Sequence, residues 1–249
     1  MTAATPIAST TGVHRVANPL VNWYLLEADD GLTAVDAGFP PDFKRLLELM
    51  ERLGRSDLKA VVLTHGHVDH VGFAARAHRD LGATIHIPQG DVKIATSPFP
   101  MAKSEANPLP YVLRYGPTRR LYLGALLQGA VLGQAIKEYE TYDPGETLPV
   151  PGRPVAIACP GHTFGHCALH VPDRDVLFTG DALVTYDPYT GRRGPCMVAR
   201  AATADSAQNL RSLDTLEATG ATTVLTGHGE PWDQGIEQAV ARARVAGSA

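Results

Sequence analysis

The chain has 249 residues, of which 44% are apolar and 19% charged, and a net charge of −4. That balance suits a globular protein with one sizeable core and argues against a disordered chain or a coiled coil. It supplies no basic face to follow a phosphate backbone, so nucleic acid is not expected as a partner.

Residues 1–10 have neither a basic n-region nor a sustained apolar stretch, so no secretory signal is expected and the cytoplasm is the expected compartment. Residues 13–17 and 21–27 read as strands, Asp29-Asp30-Gly31 as a hairpin signal, and residues 32–37 as the returning strand. After Pro40-Pro41-Asp42, the apolar positions Phe43, Leu46, Leu47, Leu49, Met50 and Leu53 recur at helical spacing and stop at Gly54. Residues 58–64 (LKAVVLT) form a buried strand. A helical pattern then runs from Asp69 to Gly82, and residues 83–87 form another short strand. This β-α-β alternation predicts a partly parallel sheet.

Residues 88–144 read as mainly helical and loop-like, broken in their first half by Pro98, Pro100, Pro108, Pro110 and Pro117. They are taken as an insertion within a single domain spanning residues 1–249. The most apolar run, residues 121–136, is interrupted by Gln128, Gln134 and glycines and falls short of the ~20 residues of a membrane span. Strands return at 153–159, 167–171 and 175–180, followed by a helix over 203–219, a strand over 222–226 and a helix beginning near Pro231. Two such halves predict two packed sheets flanked by helices. Cys159, Cys167 and Cys196 are odd in number and lack metal-type spacing, so no disulfide framework is expected.

The densest chemistry lies where strand 58–64 ends, in Thr64-His65-Gly66-His67-Val68-Asp69-His70. A strand-to-helix turn can aim His65 and His67 at one point, and Asp69 and His70, on the new helix, at a second point nearby. Imidazole and carboxylate groups at this density are ligands for borderline divalent cations. Two adjacent metal sites are expected.

This segment resembles the signature of the metallo-β-lactamase fold superfamily. Pro160-Gly161-His162-Thr163-Phe164-Gly165-His166, Thr179-Gly180-Asp181 and Thr226-Gly227-His228-Gly229 match the remaining motifs in order. The resemblance covers residues 13–240 apart from the insertion. It implies a four-layer αββα sandwich with a mainly helical insertion. It further implies one divalent ion held by His65, His67 and His162 and a second by Asp69, His70 and His228, with Asp181 bridging. Zinc is the expected metal, with iron or manganese as alternatives. Asp69 and Asp181 thereby count as catalytic too, because a water shared by two cations becomes a hydroxide nucleophile near neutral pH. Asp36, in Val35-Asp36-Ala37-Gly38, matches a strand-end carboxylate that accepts a hydrogen bond from a ligand histidine; a turn-capping role is the alternative. His166 is expected to stabilise its own turn, and His14, His78, His86 and His170 to be structural.

Departures from relatives narrow the branch, since fold does not fix function. Class B β-lactamases carry cysteine or serine at the bridging position and act outside the cytoplasm, which disfavours antibiotic hydrolysis here. Glyoxalase II shares all seven ligands but adds a C-terminal helical domain for glutathione, and only about twenty residues follow His228. Mononuclear iron persulfide dioxygenases keep a similar motif and stand as the main alternative. Compact lactonases share the ligands and carry a tyrosine shortly after the bridging aspartate, the position offered by Tyr186, which is therefore a third catalytic candidate. Tyr111, Leu113, Tyr115, Leu121, Tyr122, Leu123, Leu126, Leu127 and Leu132 could form an apolar wall or a homodimer interface. The expectation is a dinuclear hydrolase of a small ester, lactone or thioester with an apolar acyl portion, acting through a metal-bound hydroxide.

Overall fold

The computed structural model describes residues 5–6, 12–97, 103–130 and 135–249. Alternation along the strands assigns the layers. β1 (Thr5–Pro6), β2 (Val13–Ala17), β3 (Asn22–Ala28) and β4 (Gly31–Val35) pair antiparallel, and β5 (Leu58–Val62), β6 (Thr84–Pro88) and β7 (Glu140–Tyr142) extend the sheet in parallel, in chain order. On β3, Trp23 and Leu25 face one way and Tyr24 and Leu26 the other, as a side-chain period of two requires.

Trp23, Leu25, Val61 and Ile85 pack against Phe43, Leu46 and Met50 of helix α1 (Asp42–Leu53) and against Phe73, Ala74 and Ala77 around the short helices α2 (Val68–Val71) and α3 (Ala74–Leu81). The opposite face, with Tyr24, Leu26 and Val62, meets a second sheet. That sheet contains β8 (Val155–Ala158), β9 (Cys167–Val171), β10 (Val176–Gly180) and, after the hairpin β11 (Val184–Tyr186) and β12 (Arg193–Cys196), β13 (Thr223–Thr226), in the order β13-β10-β9-β8. Its outer face packs on α7 (Ser206–Glu217) and α8 (Ile236–Ala246) through Leu213, Leu216, Ile236 and Val240. The result is the αββα sandwich. Each large side chain buried in its three core layers contributes about 1.5–3 kcal/mol, and Cys159, Cys167 and Cys196 are buried free thiols.

Several elements differ from the sequence expectation. The helix over 69–82 is two short helices, because the Gly72 and Phe73 amides leave the helical ladder and donate to the Gly38 and Ala37 carbonyls at 2.9 and 3.0 Å. Gly72 is required there: a Cβ would sit 2.4 Å from the Phe39 backbone. The last helix starts at Ile236, since Trp232 first exchanges two backbone hydrogen bonds with Val224 at 2.8 and 2.9 Å. Segment 88–144 contains the described helices α4 (Val92–Ala95), α5 (Leu109–Arg114) and α6 (Gly116–Leu127) and ends in β7, a strand too short to show alternation. Leu132 lies outside the described residues, and among these no helix is long and apolar enough to cross a membrane.

Candidate metal centre

β4, β5 and β6 run parallel, as do β8, β10 and β13 in the facing sheet, so the ends of strands in each sheet gather into one crevice, the usual location of ligand sites in such sheets. His65 and His67 follow β5, Asp69 and His70 sit on α2, His162 lies in the β8–β9 loop, Asp181 follows β10 and His228 follows β13. All seven converge. Ligand atoms of His65, His67 and His162 lie within 4.8 Å of one another; the same holds for His65, His70 and Asp181, and for Asp69, His70 and His228.

Asp181 joins the groups. Its Oδ2 is 3.1 Å from His228 Nε2 and 3.4 Å from His162 Nε2, and its Oδ1 is 3.6 Å from His70 Nε2. Asp69 Oδ2 lies 3.6 Å from His228 Nε2 and 3.9 Å from His70 Nε2. His67 Nδ1 and His162 Nε2 are 2.9 Å apart. Close approach of the β13 loop depends on Gly227, where a Cβ would fall 2.1 Å from Asp181 Oδ1.

A set of hydrogen bonds outside this ring decides which nitrogen faces inward. Asp36 adopts φ 61°, a left-handed conformation that aspartate tolerates better than most residues. Its Oδ2 accepts from His70 Nδ1 at 2.8 Å and its Oδ1 from the Thr64 amide at 2.7 Å. The Thr64 hydroxyl donates to Asp36 at 3.0 Å and accepts from His65 Nδ1 at 3.0 Å. One carboxylate therefore orients two histidines, His70 directly and His65 through the Thr64 hydroxyl, and turns both Nε2 atoms inward. His228 Nδ1 donates to the Leu20 carbonyl at 2.6 Å. Asp36 thus accepts hydrogen bonds from His70, a candidate ligand, and from the Thr64 amide across the strand end, and its role is wider than capping its own turn.

Two further groups act beyond what the sequence suggested. Buried Asp91, after β6, accepts from the Gly66 amide at 2.9 Å, the Thr163 hydroxyl at 2.6 Å and the Gly165 amide at 2.8 Å, tying the His65–His67 turn to the His162 loop. The available signal was its place at a strand end, in Gln89-Gly90-Asp91. His166 reaches past its own turn: its Nε2 accepts from the Asp181 amide at 3.0 Å and its Nδ1 faces Cys159 Sγ at 3.1 Å. Burial pushes its pKa down to about 3, which keeps it a neutral acceptor.

Burial, reinforced by neighbouring imidazoles, holds His65 and His162 well below the usual histidine range, and burial also lowers His67. These three stay neutral, the form that ligates metal. Around His70 and His228 burial is outweighed by carboxylates, Asp36 and Asp181 for His70 and Asp181 for His228, and both are raised. Burial of Asp181 is outweighed in turn by His228 and His70, so its carboxylate stays ionised.

The residues fit a pair of divalent cations. Among the described residues, His65 Nε2, His70 Nε2 and Asp181 Oδ1 are buried with no hydrogen-bond partner, an arrangement costing about 1–3 kcal/mol per group unless something binds there. All three point into the same cluster, and its donors are imidazole nitrogens and carboxylate oxygens.

A cavity of about 500 Å³ opens above the cluster, floored by His67, Asp69, His162, Asp181 and His228. Its walls include Leu121, Tyr122 and Ala125 of α6 together with Tyr189 and Val198. Tyr186 is not among the lining residues; its hydroxyl lies near Gly191 and its ring beneath Arg193. Tyr189 takes the cavity position instead. It packs edge-on against Tyr122, and burial raises its phenol well above the ordinary range. Of the leucines expected on the wall, Leu121 faces the cavity, whereas Leu113, Leu123, Leu126 and Leu127 are exposed.

A sequence profile of the metallo-beta-lactamase superfamily matches residues 18–228. The chain is 28% identical over 236 residues to the "Probable metallo-hydrolase YflN" of Bacillus subtilis (strain 168), covering 88% of this chain and 84% of that protein. It is 29% identical over 155 residues to a hydroxyacylglutathione hydrolase of Rhizobium meliloti (strain 1021), 61% of this chain but only 43% of that enzyme. Among solved structures it is similar to TTHA1623, determined in a di-iron-bound form, at 28% identity and a TM-score of 0.58, covering 89% of this chain and 94% of that one.

Proposed function

The chain belongs to the metallo-β-lactamase superfamily, and from that premise we propose that it is a dinuclear metal hydrolase of an ester, lactone or thioester with an apolar acyl portion. The carrying observation is the set of three ligand clusters that share residues and open onto a largely apolar cavity. His65, His67 and His162 would hold one ion and Asp69, His70 and His228 the other, with Asp181 between them. The all-nitrogen and oxygen donor set suits zinc, and iron or manganese could also be accepted by it.

Bound there, two such cations supply an acidified water as nucleophile and a Lewis acid for the carbonyl oxygen. The remaining work belongs to side chains. Asp181, ionised and presenting its two oxygens to different histidines, offsets part of the positive charge. Asp69 lies at the cavity floor and is less buried than Asp181, so the oxygen of its carboxylate that is not facing His70 and His228 would be free to take a proton from the attacking water and pass it to the leaving oxygen or sulfur. Tyr189, kept protonated, can donate to the substrate carbonyl or leaving group. Leu121, Tyr122 and Ala125 would seat the acyl chain and exclude water, which makes the insertion the part that selects substrate.

Metal quantitation on purified protein, followed by an ester, lactone and thioester panel, tests this reading. Close to two ions per chain and chelator-sensitive hydrolysis are expected. One iron per chain with oxygen-dependent turnover would replace it with the dioxygenase alternative.

A further inference from the structure

Helix α6 has two unlike faces. Thr118 and Leu121 are buried, and Leu121, Tyr122 and Ala125 line the cavity, whereas Arg119, Arg120, Leu123, Leu126 and Leu127 are all exposed. Their spacing puts these five on a single helical stripe. On α5, Leu109, Leu113 and Arg114 form a similar exposed set. Five of the eleven exposed large apolar side chains among the described residues, Leu109, Leu113, Leu123, Leu126 and Leu127, lie on these two helices away from the cavity, with Leu113 and Leu127 at 73% and 77% exposure. Such clustering marks an interaction surface rather than ordinary scatter.

The charge on this surface is equally one-sided. Residues 106–130 contain Arg114, Arg119 and Arg120 and no carboxylate, in a chain whose net charge is −4. Among the described residues none of the three arginines has an ion-pair partner: Arg119 donates to the Val112 and Leu113 carbonyls at 3.0 and 3.2 Å, and Arg114 lies over the Tyr115 ring.

We propose that the outer face of α5 and α6 docks on an anionic lipid surface. Leucines projecting from a helix between arginines can enter the boundary between head groups and acyl chains, while the guanidinium groups meet lipid phosphates. A second copy of the chain is a poorer occupant. A two-fold contact sets a patch against itself, so six arginines would share one interface to which residues 106–130 bring no carboxylate. Because the inner side of α6 lines the cavity, docking would bring lipid-dissolved molecules to its mouth. The inference does not rest on the proposed hydrolysis, since its readout is partitioning.

The test is sedimentation of the metal-loaded full chain with vesicles of phosphatidylcholine alone or mixed with roughly equal phosphatidylglycerol. Binding is expected with the anionic vesicles and should weaken with salt. Each arginine near such a surface is worth about fivefold in partitioning, so Arg119→Glu with Arg120→Glu should lower it by at least about 25-fold. Leu126→Ser with Leu127→Ser should also abolish most binding, leaving metal content and hydrolysis of a short soluble ester unchanged. Absence of binding to anionic vesicles, or equal partitioning of the arginine variant, would overturn the proposal. So would a solution dimer that the leucine changes dissociate.

Discussion

Replacing Asp36 by asparagine tests the support of the metal centre without removing any ligand. The two Asp36 oxygens accept from opposite sides, from the Thr64 amide at 2.7 Å and from His70 Nδ1 at 2.8 Å. Asparagine keeps one acceptor. If its oxygen faces the Thr64 amide, its NH₂ faces His70 Nδ1 and favours the tautomer with the proton on Nε2, the atom that should point at the metal. In the other orientation the NH₂ opposes the Thr64 amide and disturbs the turn carrying His65. The first orientation puts a proton on the nitrogen that should bind the cation, and the second leaves the buried Thr64 amide without its acceptor at a cost of about 1–3 kcal/mol; loss of such a supporting partner typically weakens metal binding about 10- to 100-fold. Competition with a chromophoric chelator measures the affinity of each ion, and circular dichroism checks the fold. The variant should remain folded and lose affinity first for the ion assigned to Asp69, His70 and His228. Affinities within twofold of wild type for both ions would refute the argument that Asp36 sets the histidine tautomers.

Asp181→Asn should fold yet lose most hydrolysis and part of its metal, as read by elemental analysis and turnover, because a neutral amide offsets no cation charge. Gly227→Ala should fail to assemble the site, since its Cβ would lie 2.1 Å from Asp181 Oδ1; metal content should fall while far-ultraviolet dichroism changes little. Leu121→Ala should shift acyl-chain preference by about fourfold per methylene of lost contact, with Leu126→Ala as the surface control showing wild-type preference. Tyr189→Phe should lower kcat more than it raises KM, whereas Tyr186→Phe should leave both unchanged; the reverse pattern would return the role to Tyr186.

The ligand candidates were legible because their spacing is local. A strand end followed by a turn confines His65, His67, Asp69 and His70 to six positions, and such a turn can aim them in few directions. The two-sheet architecture was legible for a related reason, since period-two and helical patterns report which face each element buries. The break at Gly72 was not, because it depends on hydrogen bonds to residues 37 and 38, about thirty-five positions earlier in the chain.

Choice between neighbouring candidates required the tertiary structure. Nothing local distinguishes Tyr186 from Tyr189; the β11–β12 hairpin turns the first toward Gly191 and the second against Tyr122 and the cavity. Leu121 and Leu126 are equally apolar in sequence, yet α6 buries one and exposes the other. Asp91 became visible only when two loops more than seventy residues apart met around it. Residue types and local spacing, which a single strand or turn can enforce, were settled by the sequence alone. Hydrogen-bond partners, tautomers and the inward or outward sense of each helix face depend on contacts between distant segments, and only the packed structure decided those.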